Sequence, residues 1–355
     1  MPYPFRYNKA VFQFTFLAFF SFPISFASAA TCTTQSQMTP AQRDALSGSA
    51  RMIATELQTG DIDGLRANTN PAVATNFAAI TSSVQNLKPV IQSATITIEE
   101  LYILDSSADP TGTAQSDFYC GQPVVSMNIT NLSPGHYALA ILHATGVLQP
   151  QQISLILSNA SGNRWMLAGY FTKPMIAAGH DGIWYWSSAR KYAQTKMTWN
   201  AWLYYRMASI LLEPVNFLSS PNLEKLERES DRVRPANLPD STPITLNVNG
   251  ASFRLTAIDT TTVFGGLDLD AAYAPDPSQA AELRDPPSAR KQVTTVMSAL
   301  LQLHPELQTA FHGIWVHANQ GDSSLFALEL PMSQITALPT PASASSSSSA
   351  NPVSR

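Results

Sequence analysis

The amino-acid sequence predicts an α+β protein in three parts: helices followed by an antiparallel sheet, a helical hairpin, and a second, smaller α+β domain. Three observations carry this. Helical spacing of apolar residues over 42–86 gives way to strand alternation from residue 93. Residues 182–230 are aromatic and helical, without alternation. Residues 244–331 place strand-like runs on both sides of one long helical run.

The start of the chain reads as an export signal over 1–30. Arg6 and Lys9 form a positive lead, residues 10–22 are mostly apolar, Pro23 breaks any helix, and Ala27-Ser28-Ala29 offers small residues for cleavage. The apolar stretch of about 13 residues is short of the roughly 20 that a membrane-spanning helix needs, so no permanent span is expected. Thr31 directly before Cys32 argues against lipid attachment. The expected location is extracytoplasmic, periplasmic or secreted. Charged residues make up 13% of the chain and the net charge is −4 without a basic block. Nucleic-acid binding, which rests on clustered Lys and Arg, is therefore not expected. The two cysteines, Cys32 and Cys120, can form one disulfide in an oxidising compartment.

The first domain is expected over 31–175. After an irregular lead-in at 31–42, Ala45, Met52, Ile53, Ala54 and Leu57 share one helical face, and Gly60 stops that helix. A short helix follows from Asp61, then another over 72–86 with Val73, Phe77, Ile80 and Val84 inward. Strands are expected at 93–104, 124–129, 137–144, 152–157 and 165–172, the last two joined by a loop at 159–163. The order resembles the nuclear-transport-factor-two-like, or cystatin-like, family by architecture. That resemblance implies a curved antiparallel sheet with helices in its concave face, and it supplies no active-site residues.

The hairpin is expected over 180–234. Trp184, Trp186, Ala189 and Tyr192 lie on its first helix, and Trp199, Ala201, Trp202, Tyr205 and Ala208 on its second, with Pro214 beyond. Tyr185, Ala189, Tyr192, Ala201, Tyr205, Ala208 and Pro214 together resemble a single tetratricopeptide repeat. One such hairpin cannot bury both its faces, which implies that it leans on a neighbouring domain or on a partner. A charged helix at 223–234 follows, then a proline-bearing linker. The last domain, 240–335, is ordered β-β-β-α-β-β. A tail at 336–355, rich in Pro, Ala and Ser, is expected to be disordered for lack of apolar side chains.

No catalytic motif stands out, and neither a cofactor nor a metal site is expected. Of the six histidines, His143 shares a strand face with Tyr137; with Trp165 these could line a ligand pocket in the first domain, His143 serving as base. Asp181, next to His180, is placed to cap the following helix. Asp268 and Asp270 alternate along one strand on what reads as an exposed face without a third ligand, and the odd separation of His312 and His317 points them apart. Trp184, Trp186, Trp199 and Trp202 form the candidate partner-binding surface, because aromatics dominate interface hot spots. The sequence thus favours a non-enzymatic interaction or scaffold protein, with a small-molecule binder or enzyme using the first domain's pocket as the alternative.

Overall fold

The computed structural model describes residues 30–122, 124–159, 164–239, 242–248, 250–338 and 344–348. The segment expected to be an export signal, but for Ala30, and most of the 159–163 loop lie outside the described residues. No described helix is long and apolar enough to cross a membrane. Mixed α+β architecture is present throughout.

The chain opens with β1 (Thr31–Thr34), a strand where an irregular lead-in was expected. It pairs with a later strand, placing Cys32 opposite Leu104. Next comes α1 (Pro40–Thr59). Thr39 accepts from the Gln42 amide while the Gln42 side chain accepts from the Thr39 amide, Pro40 opens the first turn, and Gly60 closes the helix at φ 72°. α2 (Ile62–Ala67) follows. The helix expected over 72–86 is two pieces, α3 (Pro71–Ala74) and α4 (Ala78–Ile91), with buried Phe77 at the junction.

The strands are β2 (Thr95–Asp105), β3 (Gln115–Cys120), β4 (Val125–Thr130), β5 (His136–Thr145), β6 (Gln151–Ser158) and β7 (Met166–Pro174). The main sheet runs β1-β2-β5-β6-β7, all antiparallel. One face carries the helices: Leu46, Ile53, Leu57 and Ile91 pack with Leu101, Ala140, Leu142, Leu155 and Leu167. The other face, through Leu104, Leu139 and Ile141, packs on Phe118 of β3 and Met127 of β4. Residues Ala138 to Leu142 are therefore all buried, and the strand reads as continuously apolar. The 124–129 strand was expected in the main sheet. Instead it joins β3 in a separate small sheet that covers the main sheet's second face. The Cys32–Cys120 disulfide ties the two sheets together through β1 and β3.

A two-residue ladder of β8 (Ile176–Ala177) and β9 (His180–Asp181) leads to α5 (Gly182–Gln194). Asp181 caps this helix by accepting from the Trp184 amide at 2.8 Å, as expected. Lys196, at φ 62°, turns the chain into the antiparallel α6 (Thr198–Leu212). Ala189, Ala201 and Ala208 are fully buried. β10 (Leu218–Ser219) then pairs with β4 in the small sheet, and α7 (Pro221–Arg232) follows.

The last part comprises β11 (Ile244–Val248), β12 (Ala251–Thr261), β13 (Asp268–Ala274), α8 (Pro277–Glu282), α9 (Pro286–Leu303), a 3-10 turn (Pro305–Thr309), β14 (Gly313–Gln320), β15 (Ser323–Pro331), α10 (Met332–Thr336) and β16 (Ala344–Ser348). Its sheet runs β15-β14-β13-β12-β11-β16. β13 and β14 are parallel because α9 crosses between them; the other neighbours are antiparallel. Val293, Val296, Met297 and Leu300 of α9 pack with Leu269, Ala271, Ile314 and Val316 of the sheet. The tail departs from the expected disorder: Ala344–Ser348 adds an edge strand to β11. Edge pairing is made by main-chain groups, so a serine run can join it without apolar side chains.

Hairpin and last domain share one continuous apolar core. The unburied face implied by a lone hairpin is thus covered from within the chain.

Candidate functional site

The structure does not bring Tyr137, His143 and Trp165 together. Tyr137 belongs with the residues under the small sheet, and Trp165 is buried in the helix-covered core on the opposite face. Alternation along β5 puts His143 on the Tyr137 side, where its Nδ1 lies 3.7 Å from Glu99 Oε1. The Tyr137 hydroxyl donates to the Ser133 carbonyl at 3.0 Å. The concave space in which a pocket was expected is filled by Leu46, Ile53, Phe77 and their neighbours.

Three of the four hairpin tryptophans serve internal packing. Trp199 lies against the His304 ring, with centroids 4.4 Å apart, and desolvation there pulls His304 below the ordinary histidine range. Trp202 is buried, with the Arg206 guanidinium 5.0 Å from its ring centroid. Trp186 donates from Nε1 to Glu229 at 2.8 Å. Arg190 adds two bonds to the same carboxylate, at 2.7 and 2.9 Å, and holds the Glu229 carboxyl below its usual range. Glu229 thereby pins α7 to α5. Trp184 alone of the four is substantially exposed, at 39%, and it stacks on His180 with centroids 3.6 Å apart. Neighbouring groups attach the hairpin to the last domain: Asn200 donates to the Glu306 carbonyl at 2.7 Å, and Tyr204 to the Ala310 carbonyl at 2.8 Å.

Polar groups hold the first domain to the end of α6. Gln152 and Ser154, both buried in β6, donate to the Pro214 carbonyl at 3.1 and 3.2 Å. Lys173 on β7 donates to the carbonyls of Ile210 and Glu213, at 3.1 and 2.5 Å. Burial lowers its ammonium to about 8. Sequence reading missed these three residues; the available signal was Gln152 and Ser154 alternating with Ile153 and Leu155 in β6.

This docking leaves a cleft of about 630 Å³ where the small sheet, α6 and α7 meet. Ile129, Phe217, Leu223 and Leu226 supply its apolar surface, and Asn128, Thr130, Ser209 and Ser230 its hydrogen-bonding groups. Three carboxylates line it: Glu213, Glu227 and Asp231. The one basic lining residue, Arg206, is engaged with Asp259 at 2.7 Å. The cleft therefore has a negative bias. Desolvation raises the Glu213 carboxyl, partly offset by Lys173.

A second polar group lies on the last sheet. Asp268 is fully buried, contrary to the exposed face expected. His312 Nδ1 is 3.0 Å from Asp268 Oδ1, and His317 Nε2 is 3.2 Å from Asp270 Oδ1. The two histidines thus turn to the same side, not apart, because His312 precedes β14 and is not bound by its alternation. Glu329 completes a set in which Asp268, His312 and Glu329 each offer an atom that could hold a metal ion, all within 4.8 Å of one another; Asp270, paired with Asp268 in the sequence reading, is not in the set. Desolvation, and the nearby Asp268 carboxylate, push the Glu329 carboxyl up, and His312 draws it back.

Compared with protein-family models, with curated proteins and with solved structures, the chain matches none, so its site is read from its own residues.

Proposed function

We propose that this is an exported, non-enzymatic interaction protein whose partner site is the acidic cleft between the small sheet, α6 and α7. The observation that carries this is the cleft's composition: an apolar floor, amide and hydroxyl walls, and Glu213, Glu227 and Asp231 facing the same space. Such a surface suits an extended segment of a partner protein bearing a lysine or arginine beside an apolar side chain. Export is supported by the signal-like start and by the disulfide, which suits an oxidising compartment. In this reading the aromatic hairpin is the frame that holds the cleft open, and its resemblance to a tetratricopeptide repeat reflects two closely packed helices.

The test is binding of peptide libraries that differ only in charge, using the wild type and a Glu227→Lys/Asp231→Lys variant. Lysine-bearing peptides should be enriched by the wild type and weakened about tenfold or more by the variant. Equal capture of acidic and basic peptides, or no change on charge reversal, would refute the proposal.

A further inference from the structure

Three neighbouring strands converge on one point of the last sheet. Asp268 begins β13, His312 stands one residue before β14, and Glu329 lies on β15. Gly313 sits among them: a Cβ there would lie 2.7 Å from Glu329 Oε1 and 2.9 Å from Asp268 Oδ1. A Cβ on Gly266 would lie 2.4 Å from that of His312. Two glycines thus make the space in which the three side chains meet.

Within that space, Asp268 Oδ2 and Glu329 Oε1 are buried and have no hydrogen-bond partner, and Asp268 is wholly inaccessible to solvent. A buried carboxylate oxygen without a donor is costly, and two beside one another repel. The single imidazole answers only one of the four carboxylate oxygens, through Oδ1. What is missing is positive charge at the centre of the set.

We propose that Asp268, His312 and Glu329 bind one divalent transition-metal cation, with zinc as the type, and leave one coordination position open. Two carboxylates and one neutral imidazole balance the charge of such an ion. The mixed oxygen and nitrogen donors favour zinc over calcium or magnesium, which prefer oxygen alone. Ligands about 2.1 Å from a tetrahedral centre stand about 3.4 Å apart. The present spread of up to 4.8 Å closes with side-chain shifts of less than about 1 Å. When the ion takes His312 Nδ1 in place of its contact with Asp268 Oδ1, the ring's single proton is carried on Nε2, so the imidazole stays neutral and no net proton is lost from it. The His312 side chain is 51% exposed, so the ion is reached from that side and its open position faces water. Three protein ligands leave the fourth position to water, so the site is an open one in contrast to a closed four-ligand one.

The test is calorimetric titration of the full, disulfide-bonded chain, free of any histidine tag, with zinc alone. One ion per chain is expected, with affinity reduced about 100-fold or more in Asp268→Asn and in Glu329→Gln and unchanged in His317→Ala. X-ray absorption of the zinc-loaded wild type should show one imidazole with oxygen donors and no sulfur, a readout that needs no variant to fold. Absence of saturable one-to-one binding, wild-type affinity in both carboxamide variants, loss of binding in His317→Ala, or two or more imidazoles on the ion would each overturn the assignment.

Discussion

Breaking the Cys32–Cys120 bond separates what the bond does from what packing does. The two residues are 88 positions apart, and the loop between them contains all four N-terminal helices and β2. In the chain-entropy treatment, closing a loop of that length restricts the unfolded chain by about 4 to 5 kcal/mol at 25 °C. The native packing around Cys120 changes little on substitution by alanine, because the position is small and buried against Phe118 and Met127. A Cys32→Ala/Cys120→Ala variant should therefore lose about 4 kcal/mol, a large part of a typical domain's 5–15 kcal/mol. The effect acts mainly on the unfolded state, so the urea dependence should steepen as the released chain exposes more surface. Urea unfolding, followed by circular dichroism and by hydrogen exchange of the β1 amides, measures both quantities. Reductant should shift the wild type to the variant's midpoint and leave the variant unmoved. A loss below about 1 kcal/mol with unchanged slope would refute the argument, since it would mean that the loop's ends are held in the unfolded chain by something other than the bond.

Alkaline pH should release the hairpin. Burial raises the Tyr185 and Tyr205 hydroxyls to about 12, against about 10 in the unfolded chain, so their contribution is intact below pH 10 and is lost as pH rises from 10 toward 12. Their absorbance change at 295 nm should accompany loss of helical circular dichroism; full ionisation with the helices intact would contradict the burial. Gly182→Ala should destabilise by about 1–3 kcal/mol, because a Cβ there would stand 2.5 Å from Leu212 Cγ and force α5 away from the end of α6. A melting temperature equal to that of the wild type would show that this helix end gives way freely.

Much of the secondary structure was legible locally. The Gly60 stop, the Asp181 cap and the three fully buried alanines of the hairpin each follow from short-range rules, and each is present, whereas the Thr39–Gln42 cap falls in the stretch read as an irregular lead-in. The cysteine pair needed only a count and a compartment. Placement of the site was not legible. Tyr137, His143 and Trp165 were grouped by strand spacing, but the face that each strand turns to the helices depends on pairing across the sheet. The hairpin reads from the sequence as needing cover, but nothing in the sequence says that His304 would pack on Trp199 or that the Ala310 carbonyl would take the Tyr204 hydroxyl.

By itself, then, the sequence determined the mixed α+β class and most of the longer helices and strands, that one disulfide would form, and that the aromatic hairpin needed a cover, because each depends on residues a few positions apart or on a unique pair of side chains. Only the tertiary structure decided that β4 leaves the main sheet, that a serine run becomes an edge strand, that Glu213 just past α6 and two acids of α7 share a cleft, and that Asp268 meets His312 and Glu329. Those outcomes rest on which surfaces bury one another across distant parts of the chain, and burial decides whether a carboxylate is a solvated surface charge or an incompletely satisfied group in the interior.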